Sequence, residues 1–289
     1  MGREAVMQRV TSSNRVPPQG VAVEELERTG HPMQLPLGRV HNVRDLGGYP
    51  FTAEDGSTGH TAYGAFLRAP SLARLRPVDY AYLHEYYGEG LRRVVDLRSN
   101  FETDRWPDPF ADGRDGVVYT HVPMLDQLNS GGFRDSLPDR MSTVYKSLLD
   151  HDGASIRKVM EALDGEPDNP GAPGTALFHC RAGKDRTGVI AMLLLGLAGV
   201  SDELILEDYA ATQRFLGHGL RAQRIAVSIL LRKAAPRCLF EAVPLEMEIT
   251  LEHLHEHYGT ARAYLLEHAG CSEALVDRLT LRLRGDMAQ

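Results

Sequence analysis

Cys180 and Arg186 stand six residues apart in the run His179-Cys180-Arg181-Ala182-Gly183-Lys184-Asp185-Arg186-Thr187-Gly188. That much backbone can wrap one tetrahedral oxyanion, with the N–H groups of Arg181, Ala182, Gly183 and their neighbours turned inward as a nest. The apolar run Thr175-Ala176-Leu177-Phe178 before it reads as a buried strand, and the stretch from Gly188 to Val200 as a buried helix. The run is then a strand, a tight loop and a helix N-terminus, whose positive end favours an anion. Arg186 can hold two phosphate oxygens through its planar fork, which a lysine cannot do. The same field should keep Cys180 as a thiolate, a nucleophile aimed at phosphorus. Gly183 admits a backbone conformation that a side chain resists. Thr187 can donate its hydroxyl to the thiolate as it leaves. A lone cysteine is more often buried and inert, but arginine, threonine and glycine at this spacing argue for chemistry.

Cleaving a phosphate ester also needs an acid for the leaving oxygen. Three aspartates qualify. Asp108 ends Trp106-Pro107-Asp108, but lies 72 residues before Cys180 in a connecting loop that precedes a strand, which argues against it. Asp126 follows that strand in His121-Val122-Pro123-Met124-Leu125-Asp126. Asp185 sits inside the loop, where it could equally well order the backbone by accepting N–H bonds. Asp96 and Arg98, at the end of Val94-Val95-Asp96-Leu97-Arg98, fall at the sheet edge where α/β ligand sites gather. With His179 they read as supports that position the Cys180 loop through an ion pair. Arg44 and Asp45, before Gly47-Gly48, read as structural.

The loop resembles the active-site loop of cysteine-dependent protein tyrosine phosphatases. More narrowly it resembles the bacterial tyrosine phosphatase family 3, the atypical secreted phosphatases of mycobacteria and Listeria. Asn42-Val43-Arg44-Asp45-Leu46-Gly47-Gly48-Tyr49 and Val94-Val95-Asp96-Leu97-Arg98-Ser99 extend the likeness over about residues 37 to 200. The resemblance implies phosphomonoester hydrolysis through a phosphocysteine, with no cofactor and no metal. It implies phosphotyrosine proteins as substrates. Lys184, beside Arg186, resembles the Gly-Lys-x-Arg arrangement of enzymes that hydrolyse phosphoinositides, which extends the range to those lipids. It implies Asp185 as the acid, whereas a dual-specificity phosphatase would place its acid loop at Asp126. A sulfurtransferase or arsenate reductase also cradles a cysteine, but the run Asp185-Arg186-Thr187 disfavours both.

Around this loop the elements alternate. Leu37–Phe51 and Tyr63–Leu67 are predicted as strands of an N-terminal hairpin, with Asp55–Gly59 as turn. Pro77–Tyr87 is predicted as helix, Leu91–Leu97 and Val117–Val122 as strands, Asp139–Leu149 and Ala154–Leu163 as helices. From Thr187 onward the chain reads as helical, broken near Gly217-His218-Gly219, Pro236 and Gly259. Asp208–Leu231 has the pattern of core packing through Ile225, Val227, Ile229 and Leu230, and the family likeness implies a lid there. The expected fold is α/β, with a mostly parallel central sheet flanked by helices and a helical C-terminal part. A loosely ordered segment, residues 1–30 with a short helix at Val21–Arg28, precedes a single domain over 31–289 whose helical portion starts near 201.

A net charge of −7 disfavours general nucleic-acid binding, though not an anionic substrate held by a local field. Cys180, Cys238 and Cys271 have no paired spacing, which suits a reducing compartment or a free thiol. No signal peptide or membrane-spanning stretch is visible, so the expected location is cytoplasmic, or exported without a recognisable signal. His253, His255 and His257 do not complete a zinc-protease pattern and read as a solvated helix face.

Overall fold

The computed structural model describes residues 34–86, 90–125, 138–165, 169, 171–231, 234 and 236–285. The segment 1–30, its expected helix at Val21–Arg28, Tyr87 and Asp126 lie outside them. A five-stranded sheet is built from β1 (Arg44–Asp45), β4 (Phe66–Ala69), β5 (Leu91–Asp96), β6 (Val118–His121) and β7 (Thr175–His179). Its order is β1-β4-β7-β5-β6. β4, β7, β5 and β6 run parallel and β1 antiparallel on the edge. A separate ribbon pairs β2 (Pro50–Thr52) with β3 (Thr58–His60).

β7 is the central strand and is buried along its whole length, as expected of a parallel strand covered on both faces. Ala176 and Phe178 point into one hydrophobic cluster and Leu177 into the other, following the two-residue pleat. The larger cluster is closed by α3 (Met141–His151), α4 (Gly153–Asp164), α5 (Asp185–Ala198), α7 (Pro244–Tyr258) and α8 (Glu273–Arg284). The smaller is closed by α1 (Pro77–His84). α5 is apolar nearly all round and lies inside the protein. α2 (Asn100–Arg105) follows β5, and α6 (Asp202–Leu231) follows α5.

The predicted strand Leu37–Phe51 resolves into β1 and β2, separated by the Gly47-Gly48 turn, and the hairpin across Asp55–Gly59 joins β2 to β3 instead of to Tyr63–Leu67. The expected break at Gly217-His218-Gly219 does not occur: α6 runs through it. A Cβ on Gly217 would stand 2.9 Å from the Gln213 amide, and Gln213 Oε1 accepts from the Ala242 N–H at 2.9 Å. Glycine costs a helix interior only roughly 1 kcal/mol, which the packing of a 30-residue helix can override. The core role expected of Ile225 and Ile229 is also corrected. They are 52% and 73% exposed, so the apolar period over this part of α6 does not mark a face buried in the core.

Candidate active site

Parallel pairing brings the carboxyl ends of three strands together. Ala69 of β4 and Asp96 of β5 are both in register with His179 of β7, which is where ligands settle in open α/β sheets. The chain leaves β7 at His179, turns through Cys180–Lys184 and enters α5 at Asp185. Gly183 adopts a φ of +64°, and a Cβ there would lie 2.7 Å from the Ala69 carbonyl and Pro70 N, so only glycine fits. Asn42 Nδ2 donates to the carbonyls of Ala182 (3.1 Å) and Gly183 (3.3 Å), and Arg68 donates to Gly183 O at 2.8 Å. A planar trans peptide then turns the N–H groups of Gly183 and Lys184 the opposite way. Arg68 and Arg44 both contact the buried carboxylate of Asp208 on α6, which also accepts from Tyr49 at 3.0 Å.

Arg186 is held by Glu102 in a two-point contact of 2.7 and 3.1 Å, with a third bond to the Leu97 carbonyl at 3.2 Å. Glu102 is the third residue of α2 and closes a capping box with Ser99. Burial disfavours the guanidinium charge, but Cys180, Glu102 and Asp185 outweigh it and hold Arg186 above its ordinary range. Burial likewise opposes the Glu102 carboxylate, and Arg186 reverses the balance, so Glu102 titrates below the usual range.

Asp185 Oδ1 accepts from the Tyr145 hydroxyl at 2.5 Å, and Tyr145 in turn meets Tyr209 at 2.9 Å. The Asp185 side chain keeps 26% of its surface exposed. Lys184 is buried. Its ammonium donates to the carbonyls of Cys238 (3.0 Å), Leu239 (3.1 Å) and Glu241 (3.3 Å), and lies 3.3 Å from Asp185. Behind the loop, Arg98 spans Asp96, with contacts from 2.6 to 3.0 Å. His179 lies 3.2 Å from Asp108 and 3.7 Å from Asp96.

A cavity of about 850 Å³ opens over Cys180, Arg181, Ala182, Asp185 and Arg186. Arg98, Glu102 and Trp106 form one wall, and the Arg181 guanidinium stacks on the Trp106 ring at 4.6 Å. Arg39, His41 and Arg74 line a second wall, all exposed and without an acidic partner among the described residues. Leu216, Leu220 and Gln223 of α6 form a third, with Leu239 and Phe240 beyond.

Three residues expected at the phosphate lie elsewhere. Lys184, Thr187 and Gly188 do not line the cavity. Lys184 is turned away onto the 238–241 carbonyls. Thr187 is fully buried in the first turn of α5, its hydroxyl without a hydrogen-bond partner among the described residues. Gly188 packs beneath against Tyr209 and Met247. Asp108 is not at the cavity either: its carboxylate is buried beside His179. His253 and His255 are engaged by Asp150 and Asp202.

Residues 35–285 match the profile described as the tyrosine phosphatase family. The chain belongs to that family. This phosphatase is 30% identical over 229 residues to a tyrosine-protein phosphatase of Nostoc commune, covering 76% of this chain and 74% of that one. It is 29% identical over 258 residues to the triple specificity protein phosphatase PtpB of Mycobacterium tuberculosis, covering 75% of this chain and 89% of that one. It is therefore a hydrolase of the protein tyrosine phosphatase kind, and its mostly parallel sheet agrees with that fold. Among the described residues no helix is long and apolar enough to cross a membrane.

Glu102, Tyr145 and Asp208 are the site residues that sequence reasoning passed over. The capping pattern Ser99-x-x-Glu102 was a signal for the first. Tyr145 and Asp208 carried none, because their partners lie 40 and 140 or more residues away.

Proposed function

We propose that this phosphatase hydrolyses phosphotyrosine through a phosphocysteine. The observation that carries the reading is the placement of Cys180 and Arg186 at the two ends of one loop, both opening into the same cavity. Cys180 Sγ attacks phosphorus, forming the S–P bond while the ester P–O bond breaks. Arg186, aimed by Glu102, and the loop N–H groups stabilise the equatorial oxygens. Asp185 gives its proton to the leaving oxygen. Water then attacks the phosphocysteine, Asp185 takes back a proton, and inorganic phosphate and thiolate are regenerated. Trp106 and Arg181 offer a flat wall against which a phosphotyrosine ring can stack.

The substrate range extends to phosphoinositides. Arg39, His41 and Arg74 support this, since they give a further phosphate of the headgroup cationic partners in the same cavity. The test is turnover of p-nitrophenyl phosphate in chelator, followed by acid quenching to trap the phosphoenzyme. Cys180→Ser should abolish turnover and the trapped species while keeping vanadate binding. Wild-type activity in Cys180→Ser sinks the mechanism.

A further inference from the structure

Charge is unevenly placed along the chain. Between Tyr209 and Phe240 the sequence carries six basic residues and no acidic one, in a chain whose net charge is −7. The acids of α6, Asp202, Glu203, Glu207 and Asp208, all fall in its first seven residues. Beyond them the helix carries Arg214, Arg221 and Arg224. Glu241 is within electrostatic reach of Arg221 and Arg224, but Arg237 already holds it at 2.9 Å. A basic segment in an acidic protein marks a place where an anionic partner is met.

The same half of α6 presents apolar surface. Ile225 is 52% exposed and Ile229 73% exposed, and residues four apart share one stripe of a helix. His218 and Ala222, both exposed, continue that stripe toward the N-terminus. Single exposed apolar residues are ordinary. Two on one stripe, flanked by the exposed Arg221, make the amphipathic pattern of a helix that lies on a membrane surface. Aliphatic side chains gain by entering hydrocarbon and offer no ring for a base to stack on, so the pattern fits a lipid surface better than a nucleic acid. A second copy of the chain fits it less well, because a twofold contact through this face sets the same arginines against each other.

We propose that the second half of α6 docks this phosphatase on anionic bilayers, with Ile225 and Ile229 entering the headgroup boundary and Arg221 and Arg224 meeting lipid phosphates. Through Gly219, Leu220, Gln223 and Ala226 the same helix walls the cavity, so docking brings the bilayer to the helix that borders Cys180. Arg39 and Arg74, exposed on another wall, add to the cationic rim. The surface stands apart from the reaction. None of Arg221, Arg224, Ile225 and Ile229 lines the cavity, and docking needs neither Cys180 nor a phosphoinositide.

The experiment is cosedimentation with phosphatidylcholine vesicles, with and without about 30% phosphatidylserine and with no phosphoinositide in either. Wild type should partition at least about tenfold more strongly onto the vesicles that contain phosphatidylserine, and high salt should abolish the difference. Arg221→Gln with Arg224→Gln should weaken that partitioning about 25-fold, at about fivefold per arginine. Ile225→Gln with Ile229→Gln should weaken it about tenfold. Both double variants should turn over p-nitrophenyl phosphate within about twofold of wild type, which reports that they are folded with the site intact. Absence of wild-type binding to the phosphatidylserine vesicles overturns the proposal, and so does binding that neither double variant weakens. A wild-type dimer in light scattering that the isoleucine variant abolishes also overturns it, and makes the face an interface between copies. Should the isoleucine variant not fold, the arginine variant decides. Cys180→Ser should bind vesicles like wild type, so failure of docking and failure of the phosphocysteine reading show in different measurements.

Discussion

The Tyr145 hydroxyl donates to Asp185 Oδ1 at 2.5 Å from a fully buried position on α3. One oxygen of the carboxylate is thus fixed by the protein interior, and Asp185 still lines the cavity. Tyr145 is itself held by Tyr209 of α6, so the acid candidate is oriented by two helices outside its own loop. Burial, Asp185 and Tyr209 together push the Tyr145 phenol far above its usual range, so it serves as a donor throughout the working pH range.

A general acid matters most for poor leaving groups. Asp185→Asn should cost on the order of 100-fold in kcat with phenyl phosphate and only a few-fold with p-nitrophenyl phosphate, and should flatten the basic limb of the pH profile. Tyr145→Phe should show the same pattern more weakly, since the carboxyl remains but is no longer fixed. Asp126→Asn should give a small, uniform effect. If the leaving-group dependence appears in Asp126→Asn and not in Asp185→Asn, Asp126 is the acid, as in a dual-specificity phosphatase.

A second prediction concerns the cations. Lys184 donates to three carbonyls of the 238–241 segment, so Lys184→Met should loosen that wall and hurt aryl and lipid substrates alike. Arg39→Ala and Arg74→Ala leave the loop untouched. Each should lower kcat/KM for a phosphorylated phosphoinositide in mixed micelles by about 5- to 10-fold, the worth of roughly 1 kcal/mol at an exposed site, and change p-nitrophenyl phosphate turnover less than twofold. Equal losses on both substrates in the Arg39 and Arg74 variants would remove the support for a second phosphate there.

The phosphate loop was legible in the sequence because its geometry is local. A strand, a five-residue loop and a helix N-terminus are all encoded within the stretch from Thr175 to Gly188. Side-chain direction was not legible. Lys184 and Asp185 are adjacent in sequence, yet one turns to the 238–241 carbonyls and the other to the cavity, a choice made by elements that arrive from Tyr145 and from beyond α6. Asp108 was set aside as the acid by its place before β6, but that its carboxylate lies against His179 was not legible. Ile225 and Ile229 carry a helical apolar period, but a period cannot say whether a body lies alongside the helix to receive it.

The three cysteines should separate by reactivity. Burial pushes the Cys271 thiol up to about 11. It raises Cys238 as well, whose Sγ contacts the Pro138 carbonyl at 3.3 Å. Cys180 lies at the cavity with Arg186 at the other end of its loop. Iodoacetate at pH 6 should label Cys180 first, and peroxide should inactivate the enzyme in a way that thiols reverse. Phosphate should protect it. Preferential labelling of Cys238 or Cys271 would count against a reactive Cys180.

The buried charges behind the loop should also shape stability against pH, with opposite signs on the two sides. Burial opposes the Asp96 carboxylate, but His179 and Arg98 reverse this and bring it down from 3.8 to about 2. A group depressed on folding contributes stability that is complete above its unfolded value and is lost as pH falls through its folded one. Asp96 should thus add roughly 2 kcal/mol above pH 4, disappearing toward pH 2. His179 is raised on folding. Its contribution is complete below about 6.5 and declines as pH rises through its folded value. Urea midpoints measured from pH 2 to pH 9 should therefore fall at both ends for wild type. Asp96→Asn leaves Arg98 with the Trp106 carbonyl and only the more distant carboxylate of Asp108, so it should lose about 3 kcal/mol near pH 6 and show a shallower acid slope. An acid slope in Asp96→Asn as steep as that of wild type would mean that other carboxylates govern the acid transition.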